Sequence, residues 1–412
     1  MAKSDAQPSA PSLLFPPRRE TVALIIGVWG AVAVITALAM YAASFSAPGG
    51  VIIGGDFVAF AAASRAAMAG AAAAAYDPVQ FEAMLRALYP NHEPFGLTWQ
   101  YPPTYFLIAA PFAGLPVLAG FALWSFSTGA SFALLMRRLI DDRLIWLAVL
   151  ASPTAYVAFI TGQNGFFTAC LILLAAFNAK TRPLIAGLAA GLLTLKPHLG
   201  LLLPIAFVAG GCWRAIGVAA ITSIGLALLS VIAFGVSPWI AFIDAVFGVS
   251  ENIGAGIMPL AKMTTPFSAA LFAMAAPVLA QGLALLCAFG AAIIIWRLWR
   301  HTDDPAMRAA GLCAGLFFAT PYGFNYELII LAFPVAWIVM QAVRTGWLAL
   351  ERQLIAAAAV LPICITIAPQ TQYGVSIGFI VVGIVFFLTM RRIAQRAPVV
   401  FEPFSLGLGG TR

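Results

Sequence analysis

The side chains that could do chemistry are few in this sequence, because only 9% of its 412 residues are charged. Asp56 is the most conspicuous of them. It follows a stretch without charges from Thr21 to Phe45 and a glycine-rich run that ends at Gly55. A carboxylate at the point where an apolar helix leaves a membrane can act at a lipid–water boundary. The same position also suits a helix cap, a role that aspartate fills well.

Lys196 is the only charged residue between Pro183 and Trp213, and charges in apolar segments of this kind are costly and usually functional. Pro197 cannot continue the preceding helix, but it suits the first turn of a new one. Because a helix N-terminus attracts phosphate, the pattern predicts a phosphate-binding position at Lys196, with His198 offering a hydrogen bond or a proton. The alternative is a lysine that reaches the membrane surface beside a packed histidine.

The elements that must position these side chains are apolar helices. Hydrophobic residues make up 62% of the chain, far above the roughly 45–50% apolar usage of soluble domains. A spanning helix needs about 20 apolar residues, and such stretches recur, several of them long enough for two crossings. We therefore predict an all-α polytopic membrane protein, a bundle of about ten to twelve transmembrane helices over residues 21–396. Residues 1–20 and 397–412 are predicted to be cytoplasmic tails.

Residues 45–99 are predicted to form the first external loop, with helices that lie in the membrane interface. Asp56 to Ala75 is rich in alanine and carries aromatic residues, a composition that favours one such helix. A proline then interrupts the pattern. A second helix should run from Val79 to Leu88, with Glu82 and Arg86 as a solvated i, i+4 pair.

Orientation follows from the lysines and arginines, because short loops rich in them stay cytoplasmic. The basic N-terminus is then inside and Asp56 outside. Residues 103–143 leave the local number of crossings open, although a common side needs an odd number, and with it the side of Gln163 and Asn164 stays open. Residues 234–265 form a further loop that either covers an acceptor or lies passively in the interface. If the later segments are hairpins, their polar tips share the side of Asp56. These tips are Thr161–Asn164, Lys196–His198, Thr320–Glu327 and Ala368–Tyr373.

Several short motifs follow one another in a characteristic order. They are Gly55-Asp56-Phe57, Tyr76-Asp77, Tyr101-Pro102-Pro103, Gly162-Gln163-Asn164 and Leu195-Lys196-Pro197. In this order, from about residue 20 to residue 390, the chain resembles glycosyltransferase family 87, the polyprenyl-phosphate-mannose-dependent mannosyltransferases and their relatives with the GT-C architecture. The resemblance implies inverting transfer of a hexose, with mannose favoured, from a polyprenyl phosphate to a lipid-linked or glycan acceptor. It places the reaction on the outer face of the inner membrane, without a metal, and makes Asp56 the catalytic base.

The chemistry needs only one carboxylate. Glycoside hydrolysis uses a pair, one to activate the nucleophile and one to protonate the leaving oxygen, but a phosphate leaves without an acid. The other polar candidates would bind substrate, through amides and carboxylates suited to sugar hydroxyls or an aromatic ring that stacks on the sugar. Alternatively, Gln163 and Asn164 satisfy backbone groups at a helix break, and Glu327 forms a hydrogen bond within the bundle. Tyr101 would then only anchor the chain at the membrane interface. These candidates are Tyr101, Gln163, Asn164, Tyr322, Asn325 and Glu327.

Other functions compete with this interpretation. A secondary transporter of a small solute or lipid-linked glycan also has broken helices and isolated intramembrane charges, although no internal repeat is visible. A polymerase or ligase of lipid-linked polysaccharide would share the substrates but typically has its large external loop late in the chain. The net charge of +7 is explained by cytoplasmic arginines, so we expect membrane lipids rather than nucleic acid as the surroundings. The five cysteines lack paired spacing, and neither a cofactor nor a metal site is predicted.

Overall fold

The structure, a computed structural model, describes residues 54–89, 96–247, 260–274, 276–367 and 376–401. The predicted first helix from Thr21 to Phe45 lies outside these ranges. So do the predicted tip at Ala368–Tyr373, residues 248–259 of the loop after residue 234, and residues 1–20 and 402–412 of the two tails.

The described ranges are mostly helical and contain no strand, only an isolated antiparallel bridge between Met263 and Phe324. This confirms the all-α prediction. The helices are α1 (Gly55–Met68), α2 (Pro78–Leu88), α3 (Phe106–Ala109), α4 (Val117–Leu139), α5 (Arg143–Leu150), α6 (Pro153–Thr161), α7 (Gly165–Asn178), α8 (Pro183–Leu192), α9 (Leu202–Ala209), α10 (Trp213–Phe234), α11 (Ser237–Phe247), α12 (Pro266–Met274), α13 (Pro277–His301), α14 (Pro305–Ala319), α15 (Ala332–Thr345), α16 (Glu351–Ile367) and α17 (Ile377–Arg396).

Five helical segments of the described ranges are long and apolar enough to cross a membrane, and a sixth crossing results if α5 and α6, bent by 44° at their junction, form one span. The described segments therefore supply fewer spans than the ten to twelve predicted. Apolar stretches of sufficient length are divided by breaks, as at Pro197, which separates two short apolar helices. The five long segments are Val117–Leu139, Trp213–Phe234, Pro277–His301, Asn325–Thr345 and Ile377–Arg396.

Residues 103–143, for which the sequence leaves the number of crossings open, contain a single long helix. A short helical segment, Pro103–Phe112, precedes α4, and α4 alone has the length of a span. Pro116 occupies the N-cap position of α4. The described residues of this region therefore offer one candidate crossing.

The two helices of the predicted first loop are present, but the first is not a surface helix. Most of α1 is buried, including the small side chains between Phe57 and Ala67. Its alanines allow neighbours to approach on every face, and the Phe60 ring stacks on Tyr105 with 5.3 Å between centroids. The second helix begins at Pro78, where the sequence predicts Val79. The predicted pair of Glu82 and Arg86 is confirmed, with 3.1 Å between its atoms.

The interior consists of two hydrophobic clusters. The larger surrounds α14, which is buried from Met307 to Phe317 and packs against α7, α13 and α17. The smaller surrounds α1 and includes Leu195. Leu193 and Leu199 belong to the larger cluster, so Lys196 lies where the two clusters meet.

Candidate functional site

Asp56 lies in the first turn of α1, where two left-handed glycines bring this helix against the end of α6. The Gly54 amide (φ 70°) donates to the carbonyl oxygen of Ile160, with 2.9 Å between N and O. Gly162 (φ 64°) ends α6, and a Cβ atom on it would lie 2.8 Å from the Cβ of Phe57. Because the N-cap position belongs to Gly54, which has no side chain, Asp56 does not cap α1. Its carboxylate is left for other partners.

Gln163 orients the Asp56 carboxylate. Gln163 lies close enough to Asp56 to act on its carboxyl as a hydrogen-bond donor and to lower its pKa, and since a carboxylate only accepts, the group that acts is the Gln163 amide nitrogen. The Gln163 Oε1 atom accepts from the Tyr101 hydroxyl at 2.9 Å. Its backbone carbonyl accepts from Nε1 of Trp124 at 3.2 Å. Gln163 is thus held at its side-chain oxygen and its backbone, with its amide nitrogen turned to Asp56.

The surroundings of Asp56 suit a proton acceptor. The residue is half-buried, and burial of the carboxyl raises its pKa above the ordinary value of 3.8. The charge of Lys262, the hydrogen bond from Gln163 and the charge of Lys196 act in the opposite direction. A carboxylate with a raised pKa binds a proton more strongly and is a better general base.

The break at Lys196 has the predicted position but a different form. Lys196 separates two 3₁₀ helices, Leu193–Leu195 and Pro197–Gly200, before α9 begins. The segment Pro197–Gly200 continues through Leu201, which has helical backbone angles, into α9, so one apolar helical segment runs from Pro197 to Ala209. The charge at this break comes from the lysine side chain.

The amino group of Lys196 is buried and has protein partners. The side chain is 4% exposed. Its Nζ atom contacts Oε1 of Glu327 and donates to Oδ1 of Asn164 at 2.8 Å. The Tyr326 ring lies beneath it, with 4.8 Å between Nζ and the centroid. Asn164 in turn donates to the Tyr105 hydroxyl at 3.3 Å, so both predicted amides at the break after α6 are engaged.

Glu327 is the carboxylate that neutralises Lys196. It is fully buried in the 3₁₀ helix Asn325–Leu331. Its Oε2 atom accepts from the backbone amide of Phe324 at 2.7 Å, so the side chain also caps this helix. Both oxygens therefore have partners within the protein. This arrangement matches the structural alternative for Glu327, a hydrogen bond within the bundle.

His198, Tyr322 and Asn325 occupy different parts of the same region. The rings of His198 and Tyr322 are in contact, with 4.2 Å between centroids. His198 Nε2 lies 3.8 Å from Oε1 of Glu327, beyond hydrogen-bond distance. Within the described ranges neither ring nitrogen of the buried His198 has a hydrogen-bond partner. Asn325 accepts from the adjacent amide of Tyr326 at 3.0 Å, and its side-chain oxygen serves the local turn rather than the cluster.

An apolar cavity of about 490 Å³ opens beside this cluster. Its walls come from α11, α13 and the break that follows α14. Its polar lining atoms are few, and Tyr322 joins the cavity to His198. Its lining residues are Gln100, Phe242, Ala245, Val246, Phe267, Gln281, Ala284, Leu285, Ala288, Phe318, Ala319, Thr320, Pro321 and Tyr322.

Lys262 is the residue of the site that sequence reasoning did not single out. The sequence placed it only within the predicted loop of residues 234–265. Of the two lysines that act on Asp56, it lowers the pKa of that carboxyl the more. The bridge between Met263 and Phe324 brings it there. No periodicity or motif predicts a two-residue bridge between distant loops. Within the described ranges, no three His, Cys, Asp or Glu side chains come close enough to hold a metal ion.

The structure thus assembles most of the predicted residues around one point. Asp56 meets Gln163, which is held by Tyr101. Lys196 meets Asn164 and Glu327 in the same cluster. His198 and Tyr322 connect that cluster to the cavity. The Asn325 side chain instead accepts a hydrogen bond from the neighbouring amide of Tyr326.

Comparison with known proteins gives one match. The model of glycosyltransferase family 87 matches residues 99–321, just over half of the chain. Searches of curated proteins and of solved structures found no match. The matched range contains most of the cluster, whereas Asp56 and Glu327 lie outside it. Because the family model covers more than half of a chain with several spanning helices, this multi-pass membrane protein belongs to glycosyltransferase family 87 and is a membrane glycosyltransferase.

Proposed function

We propose that the protein transfers a hexose, with mannose favoured, from a polyprenyl phosphate to a lipid-linked or glycan acceptor on the outer face of the inner membrane. One observation carries this proposal. The Asp56 carboxylate, on which two lysines act, lies at a junction of helix breaks, and an apolar cavity reaches this junction through Tyr322 and His198. A base, cationic groups and an apolar groove are what transfer from a lipid phosphate requires.

Asp56 acts as the single base in this proposal. The acceptor oxygen bonds to the anomeric carbon as the bond from that carbon to the phosphate oxygen breaks. The acceptor proton passes to Asp56, and the electron pair of the broken bond leaves with the polyprenyl phosphate. The anomeric configuration inverts because there is one displacement. The leaving phosphate is a stable anion, so no second carboxylate is needed to protonate it.

Gln163 and Tyr101 fix the orientation of the Asp56 carboxylate. The Tyr101 hydroxyl fixes the Gln163 oxygen, which turns the amide nitrogen toward Asp56. With one lone pair of the carboxylate occupied in this way, another faces the acceptor hydroxyl. Positioning of this kind lowers the entropy cost of proton transfer.

Lys196 and His198 form the part of the site proposed for the donor phosphate. The Lys196 amino group is shared between Glu327 and Asn164, so its charge acts on the phosphate through space. The ring nitrogens of His198 lack protein partners among the described residues. In the neutral imidazole one ring nitrogen carries a hydrogen and is free to donate to a phosphate oxygen, which would satisfy a buried polar group that is otherwise costly. The remaining candidates, Tyr322, Asn325 and Glu327, are proposed to shape the sugar and phosphate pocket.

The apolar cavity is proposed to take the polyprenyl chain of the donor. It begins at Tyr322, whose ring contacts His198, and continues between α11 and α13. A chain seated there would have its phosphate beside His198. Burial of each methylene contributes about 0.8 kcal/mol, so donors with longer chains should bind more tightly until the groove is filled.

An Ala288→Phe variant tests the groove. Ala288 lines the cavity, and a phenyl ring there would occupy space needed by the chain. We expect at least a tenfold rise in KM for a long-chain donor, corresponding to about 1.4 kcal/mol, and little change for a donor with a short prenyl chain. Leu286→Phe, an exposed position on the same helix, is the control. Equal effects on long and short donors would remove the groove from donor binding.

Transfer itself is tested with purified protein, labelled polyprenyl-phosphate hexoses and a lipid extract. We expect a labelled product with the mannosyl donor and release of polyprenyl phosphate. Parallel proteoliposomes loaded with buffer measure uptake of sugars and release of lipid-linked glycans. Uptake without any transfer would replace the proposed activity with secondary transport.

A further inference from the structure

Two lysines act on Asp56, and they differ in what else they contact. Lys196 is buried and paired with Glu327. Lys262 is exposed, and the described residues contain no carboxylate within ion-pair distance of it. An anionic ligand that approached Lys196 would have to displace Glu327 from a buried pair. An anion that approached Lys262 would have no ion pair to break among the described residues.

The backbone that carries Lys262 is fixed to the site. Lys262 ends the 3₁₀ helix Leu260–Lys262. The next residue, Met263, bridges to Phe324 and accepts a hydrogen bond from the Ser376 hydroxyl at 3.0 Å. The Thr264 amide donates to the carbonyl oxygen of Gly323 at 2.8 Å. Lys262 is therefore held at the edge of the same break that carries Tyr322 and Glu327.

We propose that Lys262 binds the phosphate of the lipid-linked donor directly, and that Lys196 is a positioning residue held in place by Glu327. This inference rests on the proposed function. A lysine at the open side of the site can meet a phosphate as it enters with its lipid chain. It also stays beside the phosphate as negative charge builds on the leaving oxygen, where a charge-assisted hydrogen bond is strongest.

If Lys262 binds the phosphate, the protein should bind a phosphorylated polyprenyl lipid more tightly than the uncharged lipid with the same chain. The test measures binding of a polyprenyl monophosphate and of the polyprenol with the same chain to purified full-length protein in nanodiscs. Wild-type protein should prefer the phosphate. Lys262→Met should lose about tenfold in affinity for the phosphate, as expected for a hydrogen bond to a charged group, and should bind the alcohol as wild type does. Lys262→Arg should retain most of the preference.

Lys180→Met is the matched control. Lys180 is an exposed lysine at the far end of α7, about 20 Å along that helix from Asn164. It pairs with Asp303 at 2.5 Å, an exposed pair whose contribution to stability is small. Its loss should leave lipid binding unchanged.

Three results would overturn the role of Lys262. The first is a Lys262→Met variant that binds the phosphate as tightly as wild type. The second is an equal loss of phosphate and alcohol binding, which would mark a structural role. The third is competition by phosphatidylglycerol at the same concentration as polyprenyl phosphate, which would assign Lys262 to bulk headgroups. If wild-type protein binds the phosphate through Lys262 but transfers no sugar, the proposed function fails while the phosphate site stands.

Discussion

Lys196 and Glu327 form an ion pair that is almost completely removed from solvent, although the two residues belong to helix breaks far apart in the sequence. The pair has two further hydrogen bonds, from Lys196 to the side chain of Asn164 and from the amide of Phe324 to Glu327. Burial of charges is costly unless such partners are present. The pair therefore ties together three breaks, those after α6, after α8 and after α14, and fixes the floor of the site.

Breaking this pair should destabilise the protein more than removing it. Glu327→Gln leaves the Lys196 charge buried without a counter-ion, which costs about 3–5 kcal/mol. The double variant Lys196→Met/Glu327→Gln should lose less than the sum of the two single variants. Denaturation in detergent measures these losses. Additive losses, or a Glu327→Gln variant as stable as wild type, would mean that the pair does not hold the breaks together.

The glycine at the end of α6 should be intolerant of a side chain. Gly162→Ala places a Cβ atom 2.7 Å from Cδ2 of Phe121 in a left-handed conformation. We expect a loss of stability of at least about 1 kcal/mol and a lower transfer rate, because Gln163 would move away from Asp56. Gly217→Ala in α10 is the control, since nothing lies within 4 Å of the added atom. Equal stability and equal transfer rates of the two variants would show that the close contact at Gly162 does not hold Gln163 in place.

The transfer rate should fall at low pH as Asp56 takes up a proton. The base is active when ionised, so kcat/KM is maintained above the pKa of Asp56 and falls about tenfold per pH unit below it. Burial raises that pKa, which places this decline above pH 3.8. Lys262→Met removes a charge that opposes the rise, so the decline should move to higher pH. A shift to lower pH would show that Asp56 is not the titrating group.

The sequence predicts the positions of the helix breaks better than the partners that meet there. Proline and glycine mark the ends of helices through local geometry, so the breaks at Gly162 and Pro197 were predictable. The structure places both breaks near Asp56. The choice of Glu327 as partner for Lys196 depends on how the breaks after α8 and α14 come together in the tertiary structure, and no local pattern encodes it.

Two other features depend on tertiary packing in the same way. The alanine-rich composition of α1 fits a surface helix and a buried helix equally, and only the aromatic residues that follow it decide for burial. Lys262 reaches the site because Met263 pairs with Phe324. A contact of two residues across long sequence separation leaves no periodic signal.

The most direct test of the account compares Asp56→Asn with wild type in single-turnover transfer from labelled polyprenyl-phosphate mannose. Asparagine keeps the size of the side chain and can still accept from Gln163, but it cannot take the acceptor proton. We expect the rate to fall by about 10²–10⁴ with donor binding unchanged. Asp141→Asn, a change at an exposed carboxylate, should transfer at the wild-type rate. Transfer by Asp56→Asn at the wild-type rate would contradict the role of Asp56 as the base.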